Sequence, residues 1–173
     1  MRRRRPTKAN NHQRPSRIGN LLRLLLHVPV PWVFVLTYLA GVAMEFAWPP
    51  ASSTTAGAGV GIAGGALFLI GAVVAGWSLV IFHRERTTTV PGRSSSKLVT
   101  WGPYGFSRNP MYVGLVVAYV GEAGILKHLW PLVLLPLTVA YVHWIVIPVE
   151  EARLMEVFPK EYEEYRSRVR RWI

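Results

Sequence analysis

LVTWGPYGFSRNPMYVG, residues 98–114, is the polar, turn-rich stretch that divides an otherwise apolar chain of 173 residues. It holds three glycines, four aromatic residues, one arginine and two prolines. Arg108-Asn109-Pro110 reads as a helix start, with asparagine at the N-cap and proline at the first helical position. Such a start offers free backbone N–H groups and a partial positive charge, and Arg108 adds a whole one, which suits a carboxylate or phosphate. A second polar stretch, EEARLMEVFPKEYEEY at residues 150–165, opens on Glu150 and Glu151. Neighbouring helical residues point ~100° apart, so one glutamate faces inward to accept from an amine or hydroxyls while the other faces water. Two stretches of opposite sign suit a ligand carrying both an amine and a carboxylate. Tyr104, Tyr112 and Trp101 supply faces for a ring or a cation.

The composition sets the medium. The chain is 51% hydrophobic and 17% charged, yet its net charge is +11, so apolar and basic residues are segregated. Cysteine is absent, which removes disulfides, thiolate metal sites and cysteine nucleophiles; no metal site is expected. Nucleic acid is not expected as a partner, because the bases lack a soluble scaffold. No Walker loop, GxGxxG after a strand, HExxH or GxSxG occurs, and there is no room for a Rossmann domain.

Hydropathy gives an all-α integral membrane protein of about four transmembrane helices, five if the third region is split, plus a C-terminal amphipathic segment. Residues 28–48 and 58–82 each hold enough apolar length to cross a ~30 Å hydrocarbon core. Residues 111–125 are short for a span, and 130–149 return across the bilayer with Pro131, Pro136 and Pro148 bending or ending the helix. Gly57, Gly61 and Gly65, then Ala72 and Gly76, recur every four residues and predict close helix packing in lipid. Three regions follow: a basic segment 1–27, a two-helix hairpin 28–82, and a catalytic half 83–173.

Apolar residues at Leu154, Phe158, Tyr162, Tyr165, Val169 and Trp172 form one helical stripe, divided at Pro159, for an amphipathic segment lying along the headgroups. Lys and Arg number eight in residues 1–27, five in 83–109 and six in 150–173, against one, Lys127, in the other loops. The positive-inside rule then places both termini and both polar stretches on the cytoplasmic side, where they can touch. Glu45 and Glu122 fall at the far surface. His143 is ionisable within a span, and a neutral histidine bonded to a neighbouring helix is expected there.

The two polar stretches, with the run EEARLMEVFPKEYEEYRSRVRRWI, resemble the isoprenylcysteine carboxyl methyltransferase/phospholipid methyltransferase superfamily over about residues 96–173. The resemblance implies a membrane enzyme using S-adenosylmethionine without a Rossmann fold. It implies that Leu98, Val99, Tyr104, Asn109, Pro110, Met111 and Tyr112 line the cofactor pocket. Glu150 takes the place of the glutamate that meets the cofactor, with Glu151 beside it, and Arg108 that of the arginine before the helix start; Arg108 and Glu150 are the catalytic candidates. Asn109 stands where histidine is more usual, and Pro159 replaces a glycine. Enzymes of this kind that methylate a prenylcysteine carboxylate carry an arginine four residues before the first glutamate; here that residue is Val146.

The expected activity is methyl transfer from S-adenosylmethionine to a lipophilic or membrane-embedded acceptor entering from the bilayer, with membrane lipids as neighbours. Two other classes share the outline. An NADPH-dependent membrane lipid or sterol-type reductase would rely on basic phosphate-binding residues rather than Glu150. A non-enzymatic scaffold of packed helices would bind no small molecule. Spacing of small residues serves packing within a chain as well as between chains, so oligomeric state is not read from it.

Overall fold

A computed structural model describes residues 29–50, 57–84 and 97–173. The basic segment 1–27 and residues 51–56 and 85–96 lie outside the described residues. Those described are helical, with no strand among them. The helices are α1 (Val30–Ala47), α2 (Ala58–Arg84), α3 (Pro110–Leu126), α4 (Trp130–Val157) and α5 (Pro159–Arg168). α1, α2 and α4 are each long and apolar enough to cross a membrane. α3 has 17 residues, about 25 Å at 1.5 Å per residue. The protein is an all-α integral membrane protein.

Proline sets several boundaries. Pro31 and Pro110 occupy first-turn positions, where the missing N–H costs nothing. Trp48, Pro49 and Pro50 end α1. Pro136 lies inside α4, and Pro148 follows a π-turn at Val142–Val146. Proline cannot bond to the carbonyl four residues back and its ring crowds that carbonyl, so the wider π-turn relieves the helix just upstream. Phe158 breaks the helical conformation with φ −129° and ψ 59°, and Pro159 starts α5, as the sequence predicts.

The helices pair as α2 with α3 and α1 with α4, and α3 leans on α4 between the pairs. Sequence neighbours α1 and α2 thus take separate partners. The α2–α3 seam is glycine on both sides. A Cβ at Gly64 would lie 2.7 Å from the Gly121 oxygen, and one at Gly71 2.3 Å from the Ala118 nitrogen. In return, a Cβ at Gly121 would lie 2.2 Å from the Phe68 nitrogen. This corrects the expected packing face. Gly57, Gly61, Gly65 and Gly76 have nothing within 4 Å of a Cβ. The seam runs through Gly64, Gly71 and the buried Ser78 instead, at the seven-residue spacing that Gly114 and Gly121 match on α3. Ser78 closes its own hydroxyl onto the Val74 carbonyl at 2.8 Å, which keeps a polar atom satisfied away from water.

On the other pair, Gly41 backs directly onto Pro131, whose Cα would be 2.6 Å from a Cβ there. Glu45 does more than sit at a surface. Its Oε2 accepts from the backbone N–H groups of Leu129 and Trp130, both at 3.1 Å, and so caps the start of α4. The Trp130 indole also donates to the Trp48 carbonyl at 2.8 Å. The main core joins α1, α3 and α4 through Phe34, Tyr38, Met111, Tyr112, Tyr119, Val142, Val146 and Ile147. A smaller one sets Tyr104 and Val99 against Ile81 and Phe82 of α2.

Candidate functional site

The chain enters the site after Lys97 outside any helix, Trp101 is extended, and Gly102 makes the turn. Its φ of +63° is left-handed, a region where glycine carries no Cβ penalty. A short 3-10 turn, Gly102–Gly105, then presents Tyr104, whose ring lies 5.1 Å from that of Phe82. Val99 and Tyr104 are each 5% exposed, and Leu98 is half-buried.

Residues 107–109 hand the chain to α3. Asn109 holds the N-cap position with its carbonyl accepting from Val113 at 3.1 Å, but its side chain does not cap the helix. The Asn109 amide nitrogen instead donates to the Arg171 carbonyl at 2.9 Å, while its backbone N–H goes to the Ser107 hydroxyl at 3.0 Å. Pro110, Met111 and Tyr112 are buried in the first turn of α3. The Tyr112 hydroxyl donates to Glu150 Oε1 at 2.7 Å, which brings the two polar stretches into contact as their chemistry requires.

The two glutamates point apart as adjacent helical residues should, but neither faces water as expected, because Glu151 is drawn into ion pairs and is 18% exposed. Glu150 faces α3. Glu151 faces the arginines: its Oε1 lies 3.3 Å from Arg108 Nη1, and it receives a two-pronged bond from Arg171, with Nε at 3.1 Å from Oε1. Arg108 also donates to the Tyr162 hydroxyl at 3.4 Å. Burial, followed by the negative charge of Glu151, pushes the Tyr162 phenol up to about 12, with Arg108 opposing. Burial likewise raises Tyr165 and Tyr104, with Tyr165 and then Glu150 adding to the rise at Tyr104. These phenols are neutral donors. Tyr165 uses its proton on the Tyr104 carbonyl at 2.7 Å.

Six buried side-chain polar atoms have no hydrogen-bond partner among the described residues, and two of them, the Tyr104 hydroxyl and Arg108 Nε, lie at this site. A buried unmade bond is expensive, of order 1–3 kcal/mol, so both point to a polar ligand. The donor set is a carboxylate with its phenol (Glu150, Tyr112), a guanidinium partly neutralised (Arg108) and an unpaired phenol (Tyr104). Together they fit a ligand bearing an amine, a carboxylate and hydroxyls. A separate open groove of about 530 Å³ lies along α4 between Trp144 and Glu156 and shares no residue with this cluster.

Three participants were not singled out by the sequence. Arg171 reaches back to Glu151 from beyond α5, Ser107 ties down Asn109, and Trp172 donates from its indole nitrogen to His143 Nδ1 at 2.9 Å. His143 is bonded as expected, but its partner is this indole and not a neighbouring helix. The amphipathic stripe is also shorter than its spacing implied: α5 ends at Arg168, and Val169 is extended at φ −116° and ψ 130°. Tyr162 and Tyr165 of that stripe face protein, at 2% and 4% exposure.

The phospholipid methyltransferase family profile matches residues 60–161. The nickel-cobalt-cadmium resistance protein NccN of Alcaligenes xylosoxydans xylosoxydans is 35% identical over 79 residues, 46% of this chain and 37% of its own length. The cobalt-zinc-cadmium resistance protein CzcN of Cupriavidus metallidurans is 34% identical over 79 residues, 46% of this chain and 36% of its own length. The chain therefore spans little more than a third of the length of these curated relatives. No solved structure matches the chain.

Proposed function

The chain belongs to the phospholipid methyltransferase family, and from that premise we propose that it is a membrane methyltransferase, moving a methyl group from S-adenosylmethionine to a lipophilic acceptor reached from the bilayer. The observation that carries the donor assignment is the Tyr112–Glu150 contact at 2.7 Å beside Arg108. Bound there, S-adenosylmethionine supplies an electrophilic methyl group on a sulfonium. Glu150, oriented by Tyr112, accepts from the donor's amine or hydroxyls. Arg108 draws its carboxylate, assisted by the positive end of α3. Tyr104 offers its unpaired hydroxyl, while Leu98, Val99 and Met111 supply apolar walls. Glu151 holds Arg108 in place and is a less direct member of the set. The chain's task is positioning, and holding reactants in a near-attack geometry supplies ~7–11 kcal/mol of a barrier.

The acceptor carries no carboxylate that needs a cation at position 146. Val146 is 0% exposed within the core, and a guanidinium there would be buried without water. The basic flanks support the cytoplasmic side for the site and both termini.

The test is calorimetric binding of S-adenosylmethionine, S-adenosylhomocysteine and NADPH to the detergent-purified protein. The two adenosyl ligands bind, and Glu150→Ala weakens both by about ten- to a hundredfold, the scale of a hydrogen bond to a charged group. Binding of NADPH alone overturns the assignment in favour of a reductase. Binding of none to a folded protein overturns it in favour of a scaffold.

A further inference from the structure

Beyond α5 the chain leaves the helix through residues 169–173, with bends at Val169 and Arg171, and its position is fixed by groups outside itself. The Arg170 carbonyl accepts from the Arg108 backbone N–H at 2.9 Å. The Arg171 carbonyl accepts from Asn109 Nδ2 at 2.9 Å and from the Ser107 hydroxyl at 3.4 Å. Two consecutive carbonyls thus hold the three residues that lead into α3. The Arg171 side chain grips Glu151 with two bonds. Trp172 then reaches the π-turn of α4, bonded to His143 and stacked on it with centroids 6.1 Å apart and planes 18° from parallel.

We propose that residues 169–173 are a strap that closes over the donor site, with Arg171 and Trp172 as its positioning residues; this rests on the donor reading above. The charges say how closure and binding are coupled. Glu151 is shared between two guanidiniums, so this group of three carries one excess positive charge. Arg108 retains a buried Nε with no partner among the described residues. A ligand carboxylate on Arg108 releases Glu151 to Arg171 alone and tightens the strap. By linkage, a docked strap strengthens carboxylate binding by the same factor. The strap thus slows escape of the donor more than it affects its entry.

Trypsin reads the strap directly, because Arg168 and Arg170 within and beside it are exposed. In the detergent-purified full chain, S-adenosylhomocysteine is expected to slow cleavage after these two residues about tenfold and to leave cleavage after Arg153 and Lys160 unchanged. Arg171→Ala and Trp172→Ala abolish the protection and raise the Kd for S-adenosylhomocysteine about tenfold, chiefly through faster dissociation. Arg171→Lys and Trp172→Phe each recover part of that loss, since charge or stacking remains. Wild-type affinity and protection in both alanine variants would overturn the proposal. So would a loss that the conservative variants do not recover and that a matching fall in ligand-free melting temperature accompanies, since that assigns the residues to folding. Wild-type protein that binds no S-adenosylhomocysteine defeats the donor reading, and the strap's role with it; wild-type binding with unaffected variants defeats the strap alone.

Discussion

Gly114→Ala links the glycine seam to the chemistry. A Cβ at Gly114 would meet the Ala75 nitrogen at 2.6 Å and the Gly71 oxygen at 2.7 Å, where ordinary contact begins at 3.4 Å. Both obstacles are backbone, so no rotamer change relieves them, and α3 must back away from α2 by about 0.8 Å. Overpacking of this kind costs about 1–3 kcal/mol, and backbone obstacles place this case at the upper end. At about 2–4 °C per kcal/mol for a chain of this size, the melting temperature falls by roughly 5–10 °C. The displacement reaches the site because Tyr112 is two residues away and its 2.7 Å bond to Glu150 does not survive such a shift. Donor affinity is therefore expected to drop by about tenfold, one charged-group hydrogen bond. Thermal melting in detergent and S-adenosylhomocysteine calorimetry measure the two effects. Gly76→Ala is the control, since nothing lies within 4 Å of a Cβ there. Equal melting temperatures and affinities for the two variants would refute the claim that the seam sets the position of Tyr112.

Two further outcomes separate the ends of the bundle. Glu45→Ala leaves the N–H groups of Leu129 and Trp130 uncapped and is expected to cost about 1 kcal/mol, with S-adenosylhomocysteine affinity unchanged because the site lies at the other end of α4; a melting temperature equal to wild type contradicts the cap. Alkaline pH probes the phenols: Tyr162 is held at about 12 against an ordinary 10.0, so its contribution to stability is whole below pH 10 and is lost as pH rises from 10 to 12. Tyr165 and Tyr104 shift in the same sense. A melting temperature that stays level across that window, or a decline that Tyr162→Phe does nothing to reduce, contradicts the burial of these hydroxyls.

The fold was legible in the sequence to the extent that the bilayer dictates it. Apolar runs, proline boundaries and basic flanks outlined the helices because backbone groups in hydrocarbon must be satisfied within a helix. The seam was misplaced because α2 carries glycines on more than one face. The deciding signal lay in a second helix, where Gly114 and Gly121 repeat at seven residues to match Gly64 and Gly71. Glu45 gave no local sign of its role, since its partners are more than 80 residues away. At the site, the meeting of residues 107–112 with Glu150 followed from opposite charge on one end of the bundle. The strap did not follow: Val169 and Trp172 continue the helical spacing of Tyr162 and Tyr165, and no glycine or proline marks the point where the helix stops.

The π-turn at Val142–Val146 has a bearing on sequence length. It accommodates one residue more than an α-helix would, and its wider turn absorbs the ~100° that an extra residue otherwise adds to everything downstream. Deleting a single residue from 142–146 would restore the α-helical path and leave Glu150 and Glu151 facing as they do now. Closing the π-turn to α-helix at constant length would instead turn Glu150 toward the direction Glu151 now faces and bring Val149 round toward Tyr112. Which residue meets Tyr112 is therefore decided by the backbone path of that turn as well as by residue type. The loss or gain of one residue between the turn and Glu150 has no bulge to absorb it, and it re-addresses the site while leaving its composition intact.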